Sequence, residues 1–177
     1  MKIVIAATFW MAALSAGWVV GPAAAHPAQG SAASLTAGLP KAAESVARTV
    51  DAFHAALARG DTNGAAALLA EDATVFEQGE SELSKSAYTA SHLAADIAYL
   101  REVRETVTGR SGGVTGRLAW IATQGMSHGR FQNRDVDRQT TETMILRLTT
   151  EGWRIAHVHW SSHGAKAPGA KSEPGHP

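Results

Sequence analysis

The sequence predicts an α+β domain in which N-terminal helices pack on one face of a curved, mainly antiparallel sheet. Three observations carry this expectation. An apolar stripe at helical spacing opens the domain, long segments rich in β-branched residues fill its second half, and one pattern gives way to the other near Asp96.

The elements follow in order. Val46, Val50, Phe53 and Leu57 recur on one face of a helix expected over Lys41 to Arg59, and Gly60 is placed to end it. Asp61 suits the N-cap of a shorter helix carrying Leu68 and Leu69. A strand is expected over Thr74 to Glu77, and Ser84 is placed to cap a third helix over Lys85 to Ala95, with Tyr88 and His92 one turn apart. Ile97 to Thr108 reads as a strand, Gly112-Gly113 as its hairpin turn, and Val114 to Gln124 as the next strand. Met126 to Asp137 is polar and reads as a loop, while Arg138 to Thr149 and Trp153 to Ser162 read as the last two strands.

The ends have another character. Lys2, the apolar run to Val20, the Gly21-Pro22 break and Ala23-Ala24-Ala25 have the form of a signal peptide over residues 1–25, with His26 as first mature residue. Residues 26–40 read as a flexible segment, 41–163 as the domain and 164–177 as a disordered tail. A periplasmic or secreted location follows, with no stable membrane insertion after cleavage.

The chain carries 16 basic and 16 acidic side chains, and Lys2 is the one charge in the first 25 residues. The mature part is thus one charge negative, which offers nucleic acid no electrostatic footprint. The absence of cysteine excludes disulfides, thiolate metal sites and cysteine nucleophiles. All eight histidines lie after residue 25.

A two-residue turn at Glu151-Gly152 would pair Ile155 with Leu148, His157 with Leu146, His159 with Met144 and Ser161 with Glu142. Strand alternation then gives one face Trp153, Ile155, His157, His159, Met144 and Glu142. The other face receives Arg154, Val158, Trp160 and Ile145, which could form a homodimer surface. The first face is apolar at one end and polar at the other, the profile of a small-molecule pocket.

Val50-Asp51-Ala52-Phe53-His54, Gly60-Asp61, Asp72-Ala73-Thr74-Val75 and the closing Gly152-Trp153-Arg154-Ile155-Ala156-His157-Val158-His159-Trp160-Ser161 resemble the SnoaL-like, or nuclear transport factor 2-like, superfamily. The resemblance spans Lys41 to His163 and implies a cone with a pocket, a fold that hosts isomerases, dehydratases and binding modules. In the resembling fold the third helix covers the open end of the sheet, which would bring His92 toward His157 and His159. The Tyr–Asp pair of ketosteroid-isomerase-like relatives has no evident match, although Tyr88 is available.

His157 and His159, two residues apart on a strand, point the same way and could supply a general base. With His92 they could instead hold zinc or copper. His92, Trp120, Glu142, Trp153 and Tyr88 are the expected ligand contacts. Glu77, Glu80 and Glu82 form an acidic group, and Arg130, Arg134 and Arg138 a charged rim or an anion clamp. His54 reads as a helix-surface residue. The expected function is an exported small-ligand-binding domain; the alternatives are an enzyme using a histidine base and a histidine-based metal-binding protein.

Overall fold

The computed structural model describes residues 38–165. The expected signal peptide, most of the segment before Lys41 and nearly all of the tail lie outside this range.

Helix α1 (Lys41–Arg59) forms where expected, with Val46, Val50, Phe53 and Leu57 at most 1% exposed. Gly60 ends it at φ 73°, and its N–H bonds the Ala56 and Leu57 carbonyls. Asp61 caps α2 (Thr62–Leu68), its carboxylate accepting from the Gly64 N–H at 2.8 Å. Leu69, expected in this helix, begins strand β1 (Leu69–Glu77). A turn at Gln78-Gly79, both at positive φ, leads to a short β2 (Glu80–Glu82).

Ser84 caps α3 (Lys85–Ala90) through its hydroxyl, 3.1 Å from the Ala87 N–H. The single helix expected to Ala95 is in fact two. The chain breaks at Ser91-His92 and resumes as α4 (Leu93–Glu102), so Tyr88 and His92 do not share a helix face. The start of the strand expected from Ile97 is therefore helical. Leu93 and Ile97 are buried four residues apart, and this tertiary packing outweighs the strand preference of one β-branched residue.

Four long strands follow: β3 (Val103–Thr115), β4 (Leu118–Phe131), β5 (Arg134–Thr149) and β6 (Gly152–Gly164). Gly112 and Gly113 are not a turn; they pair with Ile121 and Trp120 inside the β3–β4 ladder, whose turn is Gly116-Arg117. A Cβ on Gly112 would lie 2.7 Å from Ile121 Cδ1, so the glycine serves a close approach. The expected loop over Met126 to Asp137 is also strand. It turns at Gln132-Asn133, both at positive φ, which suits a two-residue hairpin. Polarity misled there because the ladder runs on beyond the core, satisfied by backbone hydrogen bonds.

The sheet is open and curved, in the order β2-β1-β6-β5-β4-β3, with β1–β6 parallel and every other pair antiparallel. The helices lie on its inner face, as the α+β expectation required. Ile121, Met144, Leu146, Ile155 and Val158 are fully buried in one cluster with Val50 and Phe53. Each such burial contributes about 1.5–3 kcal/mol.

The last hairpin departs from its expected register. Its turn is Thr150-Glu151, and Thr149 pairs with Gly152, Leu148 with Trp153 and Leu146 with Ile155. A bulge at Ala156 then shifts the ladder, so Ile145 pairs with His157, Met144 with Val158, Thr143 with His159 and Glu142 with Trp160. One inserted residue reverses side-chain alternation beyond it. Ile155 and Val158 therefore share the inner face although they are three positions apart. Val158 and Trp160 turn inward, and His157 and His159 turn outward, the reverse of the sequence expectation.

Candidate functional site

A half-open pocket of about 600 Å³ lies between α1, α4 and the inner face of the sheet. The apolar core closes its narrow end. Around it strand alternation points polar residues inward: Glu105 and Arg110 from β3, Arg138 and Glu142 from β5, and Trp160 from β6.

Glu142 is the best-held of these groups. Its Oε2 accepts from His54 Nε2 at 2.7 Å and from the Trp160 indole N–H at 2.8 Å, while the side chain is 8% exposed. Its other oxygen, Oε1, is buried with no hydrogen-bond partner among the described residues. Burial raises a carboxyl, but the hydrogen bond and charge of His54, with the Trp160 bond, outweigh it and leave Glu142 below its ordinary value. The converse holds for His54. Burial lowers the imidazole, yet the bond and charge of Glu142, helped by Glu105, hold it above 6.5. Each partner thus favours the charged form of the other, and the two attract as an imidazolium–carboxylate pair when His54 holds its proton.

Asp96 of α4 behaves differently. The Tyr88 hydroxyl donates to its Oδ2 at 2.7 Å. Burial, with the negative charge of Glu77, outweighs that bond and raises Asp96 to about 6. Tyr88 itself is fully buried, tilted against Trp160, and held well above the ordinary tyrosine value by burial and by Asp96. Asp96 therefore exchanges a proton near neutral pH, while Tyr88 stays protonated and orients it. On the same wall His92 is paired with Glu82, and the Ser127 hydroxyl donates to Glu105 at 3.1 Å.

The expected site residues separate into three groups. Glu142 and His92 line the pocket. Tyr88 reaches it through Asp96, and Trp153 packs against the core without lining the pocket. His157, His159 and Trp120 lie on the outer face, where Trp120 pairs with Ile145 and Ile145 with His157. His157 bonds the Thr74 hydroxyl at 2.8 Å and stacks edge-on with Phe76. Burial and the neighbouring His159 lower its pKa. The expected convergence of His92 with His157 and His159 does not occur, because the sheet separates them. Among the described residues no group of three or more His, Asp or Glu side chains is placed to share a metal ion.

His54, Asp96 and Trp160 are the site residues that sequence reasoning missed. His54 carried a signal: it follows Val50 by four residues and precedes Leu57 by three, inside the buried stripe of α1. Asp96 gave no such signal, because its contact with Tyr88 depends on the break between α3 and α4.

Residues 46–164 match the SnoaL-like domain family. A proposed ketosteroid isomerase from Shewanella frigidimarina NCIMB 400 is 30% identical, with a TM-score of 0.66 over 70% of this chain and 100% of that one. A proposed dehydratase of the nuclear transport factor 2-like family from Streptomyces avermitilis superposes with a TM-score of 0.62 at 20% identity, over 70% and 97% of the two chains. The CaMKII hub of S. rosetta does so with 0.59 at 16% identity, over 67% and 95%. These last two likenesses concern the fold alone. No curated protein matches the chain.

Proposed function

The chain belongs to the SnoaL-like family, and on that footing we propose that its inner pocket binds a small organic molecule and moves a proton on it. One observation carries the reading: Asp96 stands on the pocket wall with a pKa of about 6, close to the pH at which it would have to work. Its carboxylate takes a proton from carbon, and the same group returns one. Glu142 favours the protonated form of His54, and in that form Nδ1 is left to donate to an oxygen that gains charge as the proton leaves. The isomerase assignment of the Shewanella relative agrees with such chemistry.

Deuterium exchange in D2O at the carbon beside the carbonyl of a panel of cyclic ketones tests this. The wild type should accelerate exchange for at least one ketone, and Asp96→Asn should slow it by a factor of about 10² to 10⁴. Exchange that survives in Asp96→Asn, or is absent from the wild type, overturns the reaction.

A second reading concerns the outer face. Trp120, Leu118 and Ile145 are 45%, 54% and 40% exposed there, and the rows Trp120–Ile145–His157 and Ala122–Thr143–His159 contain no carboxylate. In the bordering row Leu118–Arg147–Arg154 the arginines are paired with Asp72 and Glu151, so the exposed Trp120, Leu118 and Ile145 form an apolar patch with a balanced polar rim, which fits a second copy of itself and supports a homodimer. Trp120→Glu should halve the mass seen by light scattering, whereas a monomeric wild type would dispose of the dimer. Export rests on the Lys2 to Ala25 pattern; N-terminal sequencing of periplasmic protein should begin at His26, and Met1 on that material would contradict it.

A further inference from the structure

We propose that Arg138 makes the outer end of the pocket a receptor for a singly charged carboxylate. The inference rests on the reading of the pocket as a small-molecule site and names the class of molecule it takes.

Arg138 is half-buried on β5 and lines the pocket. Its Nε donates to the Ser162 hydroxyl at 2.9 Å and an Nη to the Ser162 carbonyl at 3.4 Å, which fixes the plane of the guanidinium. Among the described residues no carboxylate lies within 4.0 Å of it. The other basic side chains of the pocket wall are matched. Arg110 holds Asp51 at 2.7 Å, His54 holds Glu142 at 2.7 Å, and His92 holds Glu82. A partly desolvated guanidinium without an acid partner gains most from an oxyanion, which its fork of donors matches in geometry.

The surroundings also set the charge and length of the ligand. Glu77 and Glu105 lie on the same pocket wall with no basic partner within 4.0 Å among the described residues, so a second negative charge, beyond the one Arg138 pairs with, would meet two carboxylates and no further unpaired cation. A carboxylate is thereby favoured over a phosphate. Arg138 and Glu142 stand four residues apart on one strand face, roughly 13 Å along the backbone. An acid anchored at Arg138 therefore needs a body of about two fused rings to reach the His54–Glu142 pair. Tyr99 and Phe131, which stack edge-on with centroids 5.3 Å apart, line the pocket at its outer end, Phe131 pairing with Arg134 beyond the Arg138 row, and give the anchored end of the ligand an aromatic wall.

Calorimetric titration of the full domain with naphthoate, naphthalenemethanol, naphthyl phosphate and naphthylmethylamine tests the assignment. Naphthoate should bind wild type at least tenfold more tightly than the alcohol, the phosphate or the amine. Arg138→Gln should remove that preference while the alcohol binds within twofold of its wild-type affinity, and Arg138→Lys should keep part of it. Alcohol or amine binding as tightly as naphthoate overturns the carboxylate assignment and leaves the small-molecule pocket standing. So does a naphthoate preference that persists in Arg138→Gln. Failure of all four probes to bind overturns both. The wild-type comparison decides the matter even if the glutamine variant does not fold.

Discussion

The two faces of the sheet use histidine in opposite ways. His54, under the helices, is paired with a buried carboxylate and has a raised pKa. His157, on the outer face, bonds a threonine hydroxyl, sits beside another histidine and has a lowered one. The residue type is the same, and burial lowers both, His54 being much the more deeply enclosed. The sign differs because the bond and charge of Glu142 overcome burial at His54, whereas at His157 burial meets no carboxylate and His159 adds to it. A histidine's chemistry is thus decided by the face it lands on, and here one bulged residue decides the face.

Deleting Ala156 attacks that comparison most directly. Without the bulge, alternation would carry His157 and His159 into the core and expel Val158 and Trp160. The deletion should abolish the cooperative unfolding transition followed by circular dichroism, and a stably folded deletion would remove the bulge from the explanation.

The next largest effect is expected from His54→Ala, which leaves the Glu142 charge buried and unpaired. It should cost about 3 kcal/mol in urea unfolding near pH 6, against less than about 1 kcal/mol for His157→Ala. The double variant His54→Leu with Glu142→Leu should recover much of that loss. Equal losses from the two single alanine variants would dissolve the contrast between the faces. The pH dependence has a defined sign. The raised His54 contributes stability below its unfolded pKa that is lost as pH rises through the folded value. The lowered Glu142 contributes stability above its ordinary value that is lost as pH falls. The pair is therefore worth most between the ordinary glutamate and histidine values.

Asp96→Asn should move stability the other way. The raised carboxyl binds its proton more tightly in the folded state, so its contribution declines as pH rises from about 4 to about 6. Asparagine carries no charge to bury and keeps an oxygen for Tyr88. The variant should gain about 1–2 kcal/mol at pH 7.5 and little at pH 4, with loss of the proposed proton transfer. Calorimetric melting at the two pH values checks this, and a gain of equal size at both would point to packing instead of charge.

The smallest effect is spectroscopic. In NMR titrations the His54 resonances should shift at a pH above 6.5 and those of His157 below it. Reversed midpoints would invert the comparison.

Much of the fold was legible because its signals are local. The stripe through Val46, Val50, Phe53 and Leu57, the αL stop at Gly60 and the caps at Asp61 and Ser84 each depend on residues within a turn or two. The candidate site was less legible. Of the expected contacts, Glu142 and His92 reach the pocket, Tyr88 reaches it through Asp96, and His157, His159 and Trp120 are on the wrong side of the sheet for it. His54 lay in plain view within the apolar stripe, but its partner is 88 residues away.

By itself the sequence determined the helical start, the strand-rich second half and the family. These follow from short-range periodicity, capping chemistry and motifs that need no knowledge of distant neighbours. Only the tertiary structure decided where β3 begins, that Gly112-Gly113 lies within a ladder, and which face each residue of β6 presents. The physical reason is the two-residue period of a strand. Every side chain beyond a bulge depends on whether one extra residue was inserted, and that insertion is selected by packing Ile155 and Val158 together against a core assembled from distant parts of the chain.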